Sequence, residues 1–213
     1  MSNILQGPET VLVIDDFMND PEPIRAAALS LCYPPASGSQ YFPGRNSDRR
    51  MQIAGLDEAV SRIVGKPLIP TAGSVHAHCR LTLAGEIGRG GVHVDPNHWS
   101  GVLFLSEPPE PGASGTDFFR HLPSDTVNAP TSKEELARFG LDSFSEMWTR
   151  VITPHTLDES KWELTRRVEA KLNRLVLFRP WMWHNAGPGF GHDPETGRLV
   201  YLLFYDEVSA PPQ

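Results

Sequence analysis

Two short stretches carry side chains whose types and spacing suit metal chemistry. They are Gly91-Val92-His93-Val94-Asp95 and, far downstream, Trp183-His184. In an extended segment the side chains at i and i+2 point to the same face, so His93 and Asp95 can grip one ion from one side. His184 supplies the third donor. Two imidazoles and one carboxylate on one face of an octahedral ion leave the opposite face open, the arrangement of non-haem Fe(II) oxygenase sites.

A cation accompanies them. Arg198-Leu-Val-Tyr-Leu-Leu-Phe204 reads as a strand apolar on both faces, with Arg198, Val200, Leu202 and Phe204 sharing one side. If that side is interior, Arg198 enters an apolar space. A buried guanidinium is very costly without an anion, and a carboxylate bound in bidentate fashion is the natural partner.

The order and setting of these residues resemble the 2-oxoglutarate/Fe(II)-dependent dioxygenases, in particular their prolyl-hydroxylase-like branch and uncharacterised bacterial relatives. The likeness spans roughly residues 74 to 206. It is most specific in GVHVDPNHWSGVLFLS (91–106), GTDFFRH (115–121), and NRLVLFRPWMWHNAGPG followed by RLVYLLFY (173–205). The resemblance implies a mainly β fold with flanking helices, a double-stranded β-helix or cupin-like jelly roll. It implies His93, Asp95 and His184 as Fe(II) ligands and Arg198 as the residue that binds the far carboxylate of the cosubstrate 2-oxoglutarate. The family's reaction consumes dioxygen, releases succinate and CO2, and hydroxylates a C–H bond. Asp95 favours hydroxylation over halogenation, because related halogenating enzymes lack the carboxylate ligand. One departure stands out: Arg198 follows His184 by 14 residues (198 − 184), longer than usual, with GFGHDPETG filling the difference.

Other readings stay open beside this one. A cupin-like metalloenzyme without 2-oxoglutarate would tolerate loss of Arg198, and a non-catalytic β-sandwich binding module would need no iron. His76 is an alternative third ligand, and Arg80, Arg120 and Arg179 are alternative anion-binding cations. Further substrate contacts are Tyr41 and Arg45, in a loop able to fold over a cavity mouth, His78 and Arg80 on one strand face, His98 on the rim, and Arg120. Trp99, Trp181 and Trp183 either dry a cavity or simply pack as core.

The elements that must hold these groups follow from local signals. Thr10–Phe17 is a β-branched run. Asp20-Pro21-Glu22 opens a helix, with Asp20 as cap and Pro21 in the first turn. Residues 34–48 are too rich in Pro, Gly and Ser for regular structure. Leu56–Val64 is a helix. From Ser74 the pattern alternates, placing Ser74, His76, His78, Arg80 and Thr82 on one face of a strand, towards either solvent or a wet cavity. Residues 101–106 and 116–121 are strands joined by EPPEPGASG. Residues 122–170 read as a helical insertion, with a capping box at Ser132 and Glu135, a stop at Gly140, and a second helix over Asp158–Lys171. It is either a packing element or a lid over the site. Leu175–Phe178 is a buried strand.

Length and composition set the outer bounds. The 213 residues suit one domain, 1–213, with a sizeable core. No apolar stretch is long enough to span a bilayer, and the first residues lack a secretory leader pattern, so the expectation is a cytoplasmic protein. Cys32 and Cys79 are too few for a disulfide framework and read as reduced and structural. A net charge of −7 argues against nucleic acid as a partner. The partners implied by the resemblance are dioxygen and a small-molecule or peptidyl substrate.

Overall fold

The computed structural model describes residues 10–35 and 41–208. The reading of the first residues as free of a leader falls on 1–9, and the middle of the 34–48 loop is 36–40; both lie outside the described residues. In chain order the strands are β1 (Val11–Ile14), β2 (Arg45–Asn46), β3 (Leu68–Pro70), β4 (Cys79–Thr82), β5 (Trp99–Phe104), β6 (Gly115–His121), β7 (Trp162–Glu169), β8 (Leu175–Phe178), β9 (His184–Ala186) and β10 (Arg198–Glu207). Seven form one sheet in the order β1-β8-β5-β10-β4-β2, with β3 paired to the far end of β10, and β7-β6-β9 form a second. Every pairing is antiparallel. This is a double-stranded β-helix, or jelly roll, with helices packed outside.

Period-two alternation decides which face of the large sheet meets which layer. On β10, Leu199, Tyr201, Leu203 and Tyr205 turn outward and join Leu175, Leu177 and Leu103 in a core shared with helices α1 (Glu22–Leu29) and α2 (Leu56–Val64). Val200, Leu202 and Phe204 turn inward and meet Phe118 and Val168 of the second sheet. Both faces are therefore covered, which is why these strands read as continuous apolar runs. The caps follow their sequence signals: Glu22 N donates to Asp20 Oδ1 at 3.1 Å. α2 ends at Gly65, whose φ of +75° favours glycine.

Three local expectations need correction. The strand expected from Ser74 begins at Cys79, because Ala77 adopts a left-handed φ of +64° and breaks the alternation, so His76 and His78 do not continue the face of Arg80. The segment Asp158–Lys171 is not a helix. It is a single 3-10 turn, Glu159–Lys161, followed by β7, whose pairing with β6 is reinforced by Arg167 gripping Asp117 through two bonds of 2.6 and 2.7 Å. The helical part of the insertion is α3 (Lys133–Arg138), then α4 (Phe144–Met147), a π-helical turn Trp148–Ile152, and α5 (Thr153–His155). Ser132 Oγ accepts from Glu135 N at 3.2 Å as the capping signal predicts. The cysteines are unbridged; Cys79 is core but Cys32 is exposed, so only the former packs.

The insertion packs on a small aromatic core in which His121 is buried. Its ring lies 4.7 Å from Trp162 and 5.7 Å from Trp183, its Nε2 is 2.9 Å from His155 Nδ1, and its Nδ1 is 2.7 Å from Ser124 Oγ. His155 is thus engaged in this core. Burial, helped by His155 and Lys161, pushes the His121 imidazole down to about 4. An unfolded chain takes up this proton near pH 6.5, so stability present at neutral pH should drain away as pH falls from about 6.5 to about 4, by roughly 3 kcal/mol from this group. Urea unfolding across that window should show the fall, and His121→Asn should flatten it.

Candidate metal centre

The HxD segment is not part of a regular strand, yet it is fixed on both sides by backbone bonds. His93 N donates to His184 O at 2.9 Å and His184 N returns to His93 O at 3.1 Å, an isolated antiparallel bridge between chemistry-bearing residues remote in sequence. Asp95 N donates to Pro180 O at 3.0 Å. On the other side, Gly91 N donates to Thr156 Oγ1 at 2.7 Å and Val92 N to Thr156 O at 3.0 Å, so the end of the insertion anchors the segment. The approach is close enough that a Cβ on Gly91 would lie 2.3 Å from Thr156 O.

This scaffold brings His93, Asp95 and His184 together, with one donor atom of each within 4.8 Å of the others. His93 Nδ1 bonds the carbonyl of Gly91 and His184 Nδ1 that of Met182, each at 2.8 Å. Those bonds fix both rings and leave both Nε2 atoms facing the carboxylate, 3.7 and 3.4 Å from Asp95 oxygens. Ser100 Oγ donates to Asp95 Oδ2 at 2.6 Å, an outer bond that orients the carboxylate. Ligands about 2.1 Å from one ion in adjacent octahedral positions lie about 3 Å apart, so the donor set fits a divalent transition metal after small movements. Burial, with His184 adding to it, pushes the His93 imidazole down to about 4, which keeps it neutral and able to ligate near pH 7. For Asp95, burial alone would raise the carboxyl; the hydrogen bond and charge of His184, with His93 and Ser100, outweigh it and hold the group well below the usual range.

Two cavities meet here, sharing Phe42 and Asp95. The inner one, about 240 Å³, is lined by the three donors and by Arg80, Thr116, Asn185 and Arg198 among apolar side chains. Arg198 is 2% exposed. Its Nη2 donates to Gly115 O at 3.1 Å, its Nε has no partner, and no carboxylate pairs with it among the described residues. Burial first, then the neighbouring Arg80, pushes its guanidinium down to about 10, so it remains charged. Thr116 Oγ1 and Asn185 Oδ1 are likewise buried without partners. The loop of extra residues before Arg198 forms a compact turn, with Thr196 N on Asp193 Oδ1 at 2.8 Å and Arg25 Nη2 on Glu195 O at 2.8 Å. The long spacing therefore leaves Arg198 inside the cavity.

The remaining sequence candidates divide. Arg80 lines the inner cavity, with Nε donating to Asn46 Oδ1 at 2.7 Å, and Tyr41 and His98 line the outer one. Arg45, His78 and Arg120 line neither. Arg45 pairs with Glu86 at 3.4 Å, His78 Nδ1 lies 2.9 Å from Ser47 O, and Arg120 is held outside by Asp125 and Glu163 at 2.9 and 3.5 Å. Of the alternatives, His76 is bound to Phe204 backbone and lies away from the three donors. Arg179 is sandwiched between Trp99 and Trp181 and neutralised by Glu207 at 2.7 Å. Residue patterns missed Ser100, Thr116, Asn185, Thr156 and Phe42, whose ring packs 4.4 Å from His93. Asn185 and Thr116 had a signal: one follows His184 directly, the other sits in GTDFFRH. Thr156 had none, because its role depends on a contact 65 residues away.

A family model described as a family of unknown function, DUF6445, matches residues 90–205. The chain belongs to that family. The matched stretch contains the three donors and Arg198. Among solved structures, the chain is similar to the crystal structure of HygX from Streptomyces hygroscopicus with nickel, 2-oxoglutarate and hygromycin B bound. That likeness has 14% identity and a TM-score of 0.48, over 94% of this chain and 84% of that one. A second HygX structure, with nickel and 2-oxoglutarate bound, gives 13% and 0.45 over the same shares. No curated protein matches the chain in sequence. None of these likenesses selects the prolyl-hydroxylase-like branch.

Isothermal titration with Co(II) should therefore give one site per chain. His93→Ala, Asp95→Ala and His184→Ala should each weaken it at least about a hundredfold, and Ser100→Ala, which frees the carboxylate to swing, about tenfold. Affinity unchanged in any ligand variant would remove that residue from the centre.

Proposed function

We propose that this chain is an Fe(II)/2-oxoglutarate-dependent oxygenase that hydroxylates a C–H bond of its substrate. The observation that carries the reading is Arg198, a charged guanidinium buried with no carboxylate partner, in the same cavity as the His-Asp-His cluster. A buried cation in that state is strongly unfavourable unless an anion completes it. Arg80 adds a second positive charge and a divalent ion would add two more, against the single carboxylate of Asp95. The cavity is thus matched to a small dianion with one carboxylate at the metal and the other at Arg198.

In this reading His93, Asp95 and His184 hold iron, Arg198 binds the far carboxylate, and the unpartnered Thr116 hydroxyl is free to donate to a cosubstrate oxygen. Iron(II) with 2-oxoglutarate supplies an oxidation in which one oxygen atom of dioxygen enters succinate, with loss of CO2, and the other enters the substrate. The chain's own residues orient the cosubstrate and keep water out, with Val75, Val102, Phe178 and Val200 forming the dry wall. A metalloenzyme working without a cosubstrate would have no use for Arg198, and a structural sandwich would have none for the donor cluster. No helix among the described residues is long and apolar enough to cross a membrane. The proposed partners are dioxygen and a small-molecule or peptidyl substrate, and the proposed setting is the cytoplasm.

Anaerobic addition of Fe(II) and 2-oxoglutarate should produce the visible metal-to-ligand charge-transfer absorption. Arg198→Lys, which loses the bidentate fork, should raise the 2-oxoglutarate concentration at half-saturation by about tenfold or more while leaving Co(II) affinity intact. No absorption from folded, iron-loaded protein would sink the reading; an unmoved half-saturation point would pass the anion role to Arg80.

A further inference from the structure

The outer cavity has a different chemistry from the inner one. It encloses about 740 Å³ and is walled by Tyr41, Phe42, Phe144, Met147, Trp148 and Trp181. Its polar groups are already engaged. Asn97 Nδ2 donates to Trp99 O at 2.6 Å and Ser100 Oγ at 3.2 Å, His98 Nδ1 lies 3.0 Å from Asp206 Oδ1, and Thr131 Oγ1 donates to Glu135 Oε2 at 2.9 Å. Among the described residues the only carboxylate lining it is Asp95, which belongs to the donor cluster. None of the other described side chains there offers a free carboxylate, ammonium or guanidinium to an ionic substrate.

One wall is rigid. Trp181 is held by the Arg179 guanidinium, 5.2 Å from its ring, and Phe42 is pinned between His93 at 4.4 Å and Tyr41 at 4.8 Å. The facing wall comes from the insertion, where α4 runs into the π-helical turn at Trp148. π turns are rare and concentrate at functional sites. Phe144 and Trp148 remain 49% and 41% exposed, an unfavourable placement for two large aromatic side chains on one rim unless something apolar covers them.

We infer that the outer cavity is the substrate site and that it binds an uncharged apolar group, aromatic or alkyl, laid between these two walls with its end at Asp95. This rests on the oxygenase reading above and deepens it by naming the substrate class. Continuity with the metal cluster through Phe42 and Asp95 makes this cavity, rather than any other surface, the entry for a C–H bond. The apolar group belongs either to a free small molecule or to a peptidyl side chain.

The test is a fluorescence titration with neutral N-phenyl-1-naphthylamine on the full chain loaded with Co(II) and 2-oxoglutarate. Saturable binding should weaken at least about fivefold in Phe144→Ala and in Trp148→Ala, both surface positions whose loss leaves the core intact, and stay unchanged in Leu164→Ala, an exposed apolar position on β7. Indole and a blocked neutral apolar tripeptide then compete for the bound dye. Displacement by indole alone assigns a free small molecule, and displacement by the peptide assigns a peptidyl side chain. Absence of saturable binding, equal binding in all variants, or displacement by neither competitor overturns the inference. The charge-transfer absorption is read without the dye, so failure of the oxygenase reading and failure of this one are separable.

Discussion

The two-way backbone bridge between His93 and His184 is the constraint on which the site depends. It joins segments that neither sheet alone would bring together: His184 opens β9 of the small sheet, while His93 leads into β5 of the large one. With His93 N and O both paired to His184, the imidazoles cannot separate without breaking two bonds in a dry interior, where unpaired amides and carbonyls are costly. The ring contact of 4.3 Å between the histidines is a consequence of that bridge. So is the direction of Asp95, since the bond from its amide to Pro180 O and the hydroxyl of Ser100 complete what the bridge begins. The donor cluster is preorganised by the backbone, and metal binding has little folding left to drive.

Preorganisation of that kind stores an electrostatic imbalance. Arg198 and Arg80 face one cavity and both lose water there; Arg198 also feels Arg80, whereas the charge of Asp95 supports Arg80. Folding tolerates this because β10 is the central strand of the large sheet, paired along its length with β4 and β5, and its apolar residues fix the register that carries Arg198 inside. Shifting that register by one residue would exchange the outward and inward sets and turn Arg198 towards the apolar outer core. The sheet's core thus holds in place a buried charge with no carboxylate in direct contact among the described residues, Asp117 acting on it only through its field.

Much of this was legible in the residues themselves, and the reasons for the exceptions are physical. Alternation along 198–204 told which residues share a side with Arg198, but not that this side is the inner one, because the strand is apolar on both faces. His93 and Asp95 share a side because the segment is extended, even though it lacks a ladder. The false strand at Ser74–His78 shows the limit of alternation: a single left-handed residue, Ala77, undoes it, and nothing in an alanine announces a positive φ. The segment Asp158–Lys171 was misread for the opposite reason. A capping aspartate followed by apolar positions at Leu164 and Val168 satisfies helix spacing, but pairing with β6 and the buried Asp117–Arg167 contact are non-local and override it. Arg45 was chosen from its loop, His78 from the alternation that Ala77 breaks and Arg120 as a cation on a strand, and each is satisfied by a partner no local pattern reveals.

The same non-local wiring ties the outer cavity to the donor cluster. The helical part of the insertion, which supplies Phe144, Met147 and Trp148 to the outer cavity, ends beside Thr156, whose hydroxyl and carbonyl take the amides of Gly91 and Val92, two residues and one residue before His93. Gly91 has no room for a side chain because the two backbones touch there. Val92 and Val94 of the same segment also pack with Met147, Val151 and Ile152, so side-chain contacts reinforce the backbone bonds. A freely hinged lid would lack such a link. The insertion is therefore a wall fixed beside the donor cluster, held by the segment that carries His93 and Asp95, and not a loose cover over it.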